Sequence, residues 1–311
     1  MAETSSTSSS KRTAFRFLLS TAVGIALGCL LLDWPLTRLA LANENFGAFK
    51  VQRMFTEDHT GEVAIIGSSR AASSYVPSLL GDSVFNYGIE ETGWREATLM
   101  LTKELSKPKN TPVIVNFEYS FFDGHRPNTA HFIPAAGQPE VRDLLGTRMR
   151  WYYRFPTLRY FGSVDEYVRV FIPWVIRKGQ VSDNGFFIDH GPDRATRDKM
   201  LAIGKTKLPM RWRPHPTEEA AFLELLRSTQ RTVVLAISPY YPEFYTDFGH
   251  MDQAEAWLAA ARSLQNVVVV DLGRMPLPEA DYLNITHVML PGAEAFSKEL
   301  RKKLNARGIE L

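Results

Sequence analysis

The chain has one cysteine in 311 residues, which excludes an internal disulfide framework and any cysteine-based metal cluster. That residue, Cys29, lies inside an apolar run, so its solitude says nothing about a reducing compartment. Histidine is scarce too, at seven. His59, His125, His131, His190, His215 and His250 show no metal-ligand spacing and read as solvated loop positions, so no metal and no cofactor is expected. Excess charge of either sign is also missing: 36 basic against 34 acidic residues leave a formal +2. No basic block is interleaved with aromatics, so nucleic acid is not an expected partner. No internal repeat is present.

What the chain does have begins at its amino terminus. Residues 1–10 are Ser/Thr-rich and read as disordered, within a cytoplasmic tail of residues 1–16. Lys11, Arg12 and Arg16 then precede the run Phe17 to Trp34, uncharged until Asp33. A run of about 17–20 apolar residues spans a bilayer as a helix, and the positive flank holds the amino terminus in the cytoplasm. Three readings compete. A cleaved signal has Ala40-Leu-Ala42 as its site, but that lies beyond the apolar stretch. Ala26-Leu-Gly-Cys29 resembles a lipobox, but lacks the usual branched residue, and Leu30-Leu-Leu continues the run past it. The reading adopted is an uncleaved transmembrane anchor over 17–36. Residues from about 45 onward then face the periplasm or exterior, on a single-pass protein of the inner (cytoplasmic) membrane.

Beyond the anchor, short runs that are apolar throughout alternate with helical patterns. Val63-Ala-Ile-Ile66, Ser83 to Gly88, Thr111 to Phe117, Thr232 to Ser238 and Asn266 to Asp271 read as buried strands. Helices are expected at Thr92 to Leu105 and Thr217 to Thr229, capped by Thr92 and Thr217, and at Met251 to Leu264 and Pro291 to Leu304. The fold class is α/β: a three-layer αβα sandwich on a five-stranded, mainly parallel sheet, preceded by one transmembrane helix. Residues 118–215 interrupt the pattern and read as an insertion in one domain of residues 45–311. Within it, Trp151 to Phe161 is aromatic, either a lid or sugar-stacking surface or the insertion's own small core. Val164 to Lys178 reads as a helix, and Ser182 to Pro216 mostly as loop.

The stretch Val63-Ala-Ile-Ile-Gly-Ser-Ser-Arg70 stops abruptly at a Gly-Ser-Ser turn. In open α/β sheets the carboxyl edge of the strands is where ligands bind. A serine there is a candidate nucleophile if a histidine reaches it, within about 2.6–3.2 Å. Two further strand-end loops should cluster with it: Asn86-Tyr-Gly-Ile-Glu-Glu-Thr-Gly-Trp94, and Asp281 to Phe296, which carries His287.

In the order of these blocks the chain resembles the SGNH/GDSL hydrolase superfamily, of the SGNH/flavodoxin-like architecture. It resembles the membrane-anchored branch containing the teichoic acid D-alanine transfer protein and polysaccharide O-acetyltransferases, in which Gly-Ser-Ser occurs. Gly67-Ser68-Ser69 matches the Gly-Asp-Ser block, which implies Ser69 as nucleophile. The second-block glycine falls on Gly88, implying an oxyanion donor through its backbone N–H. Asp-x-x-His falls on Asn284-Ile-Thr-His287, followed by Gly292, which implies His287 as the base. The chain departs from the family at Asn284, where the orienting aspartate is expected; Asp281 is the nearest substitute and Asp271 a remote one. In the third block, Asn116 is a candidate oxyanion donor, whereas Glu118 would oppose an oxyanion. Ser68, Arg70 and Glu118 complete the set at candidate substrate-binding positions, Ser68 as a backbone ligand and Arg70 as a surface charge or an anion clamp.

The resemblance implies a serine acyl-enzyme: an esterase or acyl-ester transferase acting on a cell-surface or secreted polysaccharide, beside a multi-pass membrane acyltransferase as partner. A catalytically inactive SGNH-like scaffold or glycan-binding subunit is the alternative, favoured by Asn284 and Glu118. A plain secreted esterase requires a cleaved amino terminus.

Overall fold

The structure, a computed structural model, describes residues 6–119, 129–145, 158–160, 182–187, 191–206, 215–247 and 251–311. Strands without a polar face need cover on both sides, and the fold supplies it. In chain order the strands are β1 (Val63–Ile66), β2 (Val84–Asn86), β3 (Val113–Asn116), β4 (Ser182–Asp183), β5 (Phe186–Phe187), β6 (Val233–Ile237) and β7 (Val267–Asp271). β4 and β5 form a small antiparallel hairpin. The other five form one parallel sheet in the order β2-β1-β3-β6-β7. With the hairpin set aside, this is the flavodoxin-like order, which places its ligand crevice at the carboxyl ends of the central strands.

Successive side chains on a strand face opposite sides. Ala64, Ile66, Val113, Val115, Val233 and Leu235 enter one core, against α2 (Gly47–Thr56), α5 (Trp94–Leu105), α6 (Pro139–Leu145), α8 (Pro216–Ser228), α9 (Pro242–Asp247) and α10 (Met251–Arg262). Val63, Ile65, Ile114, Val234 and Ala236 enter the other, against α3 (Ser69–Ser74), α4 (Pro77–Leu80) and α11 (Leu290–Asn305). The α/β three-layer reading therefore holds. Each fully buried branched side chain contributes roughly 1.5–3 kcal/mol relative to exposure, so the strands are fixed from both faces.

The amino-terminal helix α1 (Ser6–Ala40) starts before the expected anchor and outlasts it. Its apolar part, Thr13–Ala40, is 28 residues and contains an 18-residue window of mean hydropathy 2.0; it is about 42 Å long at 1.5 Å per residue, enough to cross a bilayer of about 30 Å. Phe15, Phe17, Leu18, Leu31 and Trp34 are exposed along it. Its last two turns are not a tether but part of the folded body. Asp33 accepts from Arg159 at 2.8 and 3.0 Å, and Thr37 Oγ1 lies 2.6 Å from Tyr160 OH. Leu36 and Ala40 pack with Phe46, Ile133 and the fully buried Tyr160.

Several local expectations are corrected. Thr92 does not cap α5; its hydroxyl donates to Ile89 O at 2.7 Å, and Gly93 takes the cap position with its N–H on Glu96 Oε2. Thr217 lies inside α8, which starts at Pro216 because proline at the first helical position loses no needed N–H. Residues 194–206, expected as loop, form helix α7 (Arg194–Thr206), whose Leu201 and Gly204 are buried. A Cβ on Gly204 would meet Ile285 at 3.2 Å, so this helix buttresses the loop that carries His287. His131 is buried in a 3-10 turn (Thr129–Ala135) rather than solvated. Residues 1–5, Trp151 to Thr157, Val164 to Lys178, His125, His190 and His250 lie outside the described residues.

Candidate active site

Gly67 ends β1 because nothing larger fits: a Cβ there would lie 2.7 Å from Ala71 Cβ and 2.9 Å from Asn116 Cβ. The chain then turns at once into α3, with Ser68 as the N-cap and Ser69 as the first helical residue. This places the Ser69 hydroxyl at the carboxyl end of β1, beside first-turn N–H groups that lack intrahelical acceptors.

His287 comes from a loop 218 residues away, between β7 and α11, and its Nε2 lies 2.9 Å from Ser69 Oγ. Its other nitrogen, Nδ1, lies 2.9 Å from Thr286 Oγ1 and 3.2 Å from Asn284 Oδ1. Asn284 Oδ1 in turn accepts from Thr286 N at 2.9 Å, from Thr286 Oγ1 at 3.1 Å and from His287 N at 2.9 Å. Three donors converging on one atom identify it as the amide oxygen. With the Thr286 hydroxyl proton committed to Asn284, the acceptors beside Nδ1 fix its proton there. Nε2 is left as the acceptor for the Ser69 O–H. An amide carbonyl thus sets the tautomer a carboxylate normally sets, without the carboxylate's charge.

That missing charge has a cost. Burial and then the Arg70 guanidinium push His287 down to about 4, so the imidazole is neutral throughout the physiological range but weakly basic. Asp281 does not restore the charge: among the described residues it makes no hydrogen bond to His287, and its backbone carbonyl accepts from Met289 N at 2.7 Å. Asp271 accepts from Gly273 N at 2.9 Å. An activity that depends on neutral His287 is expected to hold its kcat/KM plateau down to about pH 5, with an acid limb near 4 rather than near 6.5. Asn284→Asp is expected to move that limb upward and to raise the plateau about tenfold, because a better base removes the serine proton more readily. A limb near 6.5 in the unaltered chain would contradict the arrangement.

Both oxyanion donors expected from the sequence are engaged elsewhere. Gly88 N donates to Asn86 Oδ1 at 2.8 Å. Gly88 is needed instead for close approach, since a Cβ there would lie 2.3 Å from Ala72 N. Asn116 is fully buried; its amide donates to Glu118 Oε1 at 2.7 Å and its Oδ1 accepts from Tyr75 OH at 2.7 Å.

The three expected substrate-binding residues lie beneath the site and hold it together. Glu118, fully buried, accepts from Ser68 N at 3.1 Å and from Ser68 Oγ at 2.5 Å, clamping the turn that presents Ser69. Ser68 Oγ also accepts from Arg70 N at 3.4 Å. Arg70 is neither a surface charge nor an anion clamp. It is 1% exposed, its guanidinium 3.3 Å from the centre of the Tyr240 ring, and donates to Ser238 O at 2.6 Å, Ser238 Oγ at 2.7 Å, Pro239 O at 3.1 Å and Thr286 O. One side chain therefore ties the serine helix to the end of β6 and to the histidine loop.

Ser69, His287 and Asn284 open onto a cavity of about 460 Å³. Its other walls come from Asn43 to Lys50, Gly88 to Glu90, His131, the β4–β5 hairpin and Met289. The wall from Asn43 begins three residues after α1 ends. Thr286, Lys50 and His131 were not foreseen in these places. Lys50 carried a signal: it sits at helical spacing among Gly47, Val51 and Met54, all buried.

No family model matches the chain, and no curated protein matches it. Among solved structures, one from Streptococcus pneumonia, provisionally described as a platelet activating factor, aligns at 13% identity with a TM-score of 0.41. The alignment covers 92% of this chain and 99% of that one.

Proposed function

We propose that the chain is a membrane-anchored serine esterase or acyl-ester transferase of SGNH type. The observation that carries this reading is the 2.9 Å contact between Ser69 Oγ and His287 Nε2, with Asn284 and Thr286 on the far nitrogen. Nucleophile, base and orienting acceptor then stand in the relation acyl transfer requires. Ser69 attacks the ester carbonyl as His287 takes its proton. The oxyanion forms at the start of α3, where the first-turn backbone and the positive helix end favour negative charge. His287 returns the proton to the departing alcohol. The acyl-enzyme is then resolved by water or by a second hydroxyl.

The finer assignment is a cell-surface or secreted polysaccharide as acceptor, outside the cytoplasmic membrane, with a multi-pass membrane acyltransferase supplying the acyl group. It rests on the positive flank, Lys11, Arg12 and Arg16, before the apolar run of α1 and on the resemblance of the sequence blocks. In this reading the domain is residues 45–311 with an insertion at 118–215, and the last two turns of α1 pack onto it. The position of the cavity is consistent with a donor arriving at the membrane, since residues just past the apolar helix form one wall. A scaffold without catalysis is the second reading, favoured by the absent aspartate at Asn284. Turnover of p-nitrophenyl acetate by the full chain in detergent, with and without an oligosaccharide acceptor, tests the proposal. Acetylated oligosaccharide is expected alongside acetate; absence of both supports the scaffold.

A further inference from the structure

One wall of the cavity holds a cation that the serine chemistry does not use. Lys50 projects from α2 and is fully buried, yet it lines the same space as Ser69 and His287. Its Nζ donates to Gly88 O at 2.8 Å. Among the described residues it makes no other hydrogen bond and no ion pair. An ammonium has three donors, so two have no partner among the described residues, on a residue that lines the cavity. A buried charge without an opposite partner is costly, and that cost is relieved when an anion enters.

We propose that Lys50 is the recognition residue for a negatively charged group, a carboxylate or phosphate, carried by the substrate. The identification of that substrate as an ester rests on the serine reading; the anion preference does not. The groups facing Lys50 set its charge: two are acidic and oppose an anion at range, so the anion is held by direct contact with Nζ. Glu44, on the segment between α1 and α2, and Glu90, on the loop after β2, favour its charged form from a distance, without pairing. His131, on the facing 3-10 turn, is pushed down to about 4 by burial and then by Lys50, so it stays neutral and does not compete for the anion. Burial pushes the lysine itself down to about 7. An incoming anion therefore meets a group that gains charge as pH falls through neutrality.

The test is calorimetric binding to the full-length Ser69→Ala protein in detergent, which removes the proposed nucleophile and preserves the esters. Two matched pairs are compared: 4-acetoxybenzoate with its methyl ester, and monomethyl succinate with methyl butyrate. The first pair puts the charge on the alcohol side, the second on the acyl side. At pH 6 the charged member of at least one pair is expected to bind about tenfold more tightly than its neutral partner, the scale of one charge-assisted hydrogen bond. Lys50→Gln should erase that preference and Lys50→Arg should retain it. With Lys50 in place, the preference should fall about tenfold between pH 6 and pH 9, which decides the matter even if Lys50→Gln does not fold. Absent or equal affinity for the charged members at pH 6, or a preference indifferent to pH, would overturn the proposal. Because no turnover is needed, this outcome is separable from a failure of the serine chemistry, which would appear as an unreactive Ser69.

Discussion

Ser69→Ala is expected to reduce kcat/KM for p-nitrophenyl acetate by about 10³-fold or to the uncatalysed background, while His287→Ala reduces it by about 10²–10⁴. The double substitution should be no worse than Ser69→Ala alone. A nucleophile and its base act as a unit, so removing the second partner after the first costs nothing further. Ser69 is half-buried at the first position of α3, and its Oγ contact is to His287. Circular dichroism and thermal unfolding of Ser69→Ala should therefore match the unaltered chain. Additive losses in the double variant would mean that serine and histidine contribute separately, and the proton-transfer step assigned to them would be lost.

Arg70→Met should have the largest effect on stability. The substitution keeps the apolar contact with Tyr240 but strips hydrogen bonds from Ser238 O, Pro239 O and Thr286 O. Leaving buried acceptors unsatisfied costs about 1–3 kcal/mol each, partly recovered by relaxation, so a loss of about 3 kcal/mol is expected. That corresponds to a fall of roughly 6 °C or more in Tm for a domain of this size. Activity should fall beyond what stability explains, because Thr286 both receives Arg70 and contacts His287 Nδ1. His287 should also become more basic once the neighbouring cation is gone. A Tm within about 2 °C of the parent would show that the guanidinium is dispensable to the frame.

The legible part of this protein is the part set by local pattern. Val63 to Ile66 and Val233 to Ile237 are apolar at every position, and only a sheet covered on both faces hides such residues, so strands, order of elements and fold class could be read directly. The Gly67-Ser68-Ser69 turn and His287 were legible as strand-end residues, and the structure brings them to hydrogen-bond distance. What could not be read is where polar side chains spend their hydrogen bonds. Gly88 and Asn116 stand at the expected positions, but Asn86 and Glu118 occupy their donors. Arg70 follows the serine in a turn, where a charge is ordinarily solvated. Its burial depends on carbonyls from residues 238, 239 and 286, whose proximity only the fold creates. Helix α7 was hidden by the turn-forming residues around it, although Leu201 and Gly204 line its buried side. Asn284 is the instructive case. As an amide in an acid's place it reads as a defect, yet its oxygen collects three donors and orients the imidazole all the same.

The central claim is that Ser69 is a nucleophile made reactive by His287. Its most direct measurement is the site of attachment of a fluorophosphonate on the full-length chain, located by peptide mass spectrometry after saturating exposure. The account predicts one adduct on Ser69, formed at least about a hundredfold more slowly in His287→Ala. No adduct on Ser69 at saturation, or labelling indifferent to His287, would contradict it.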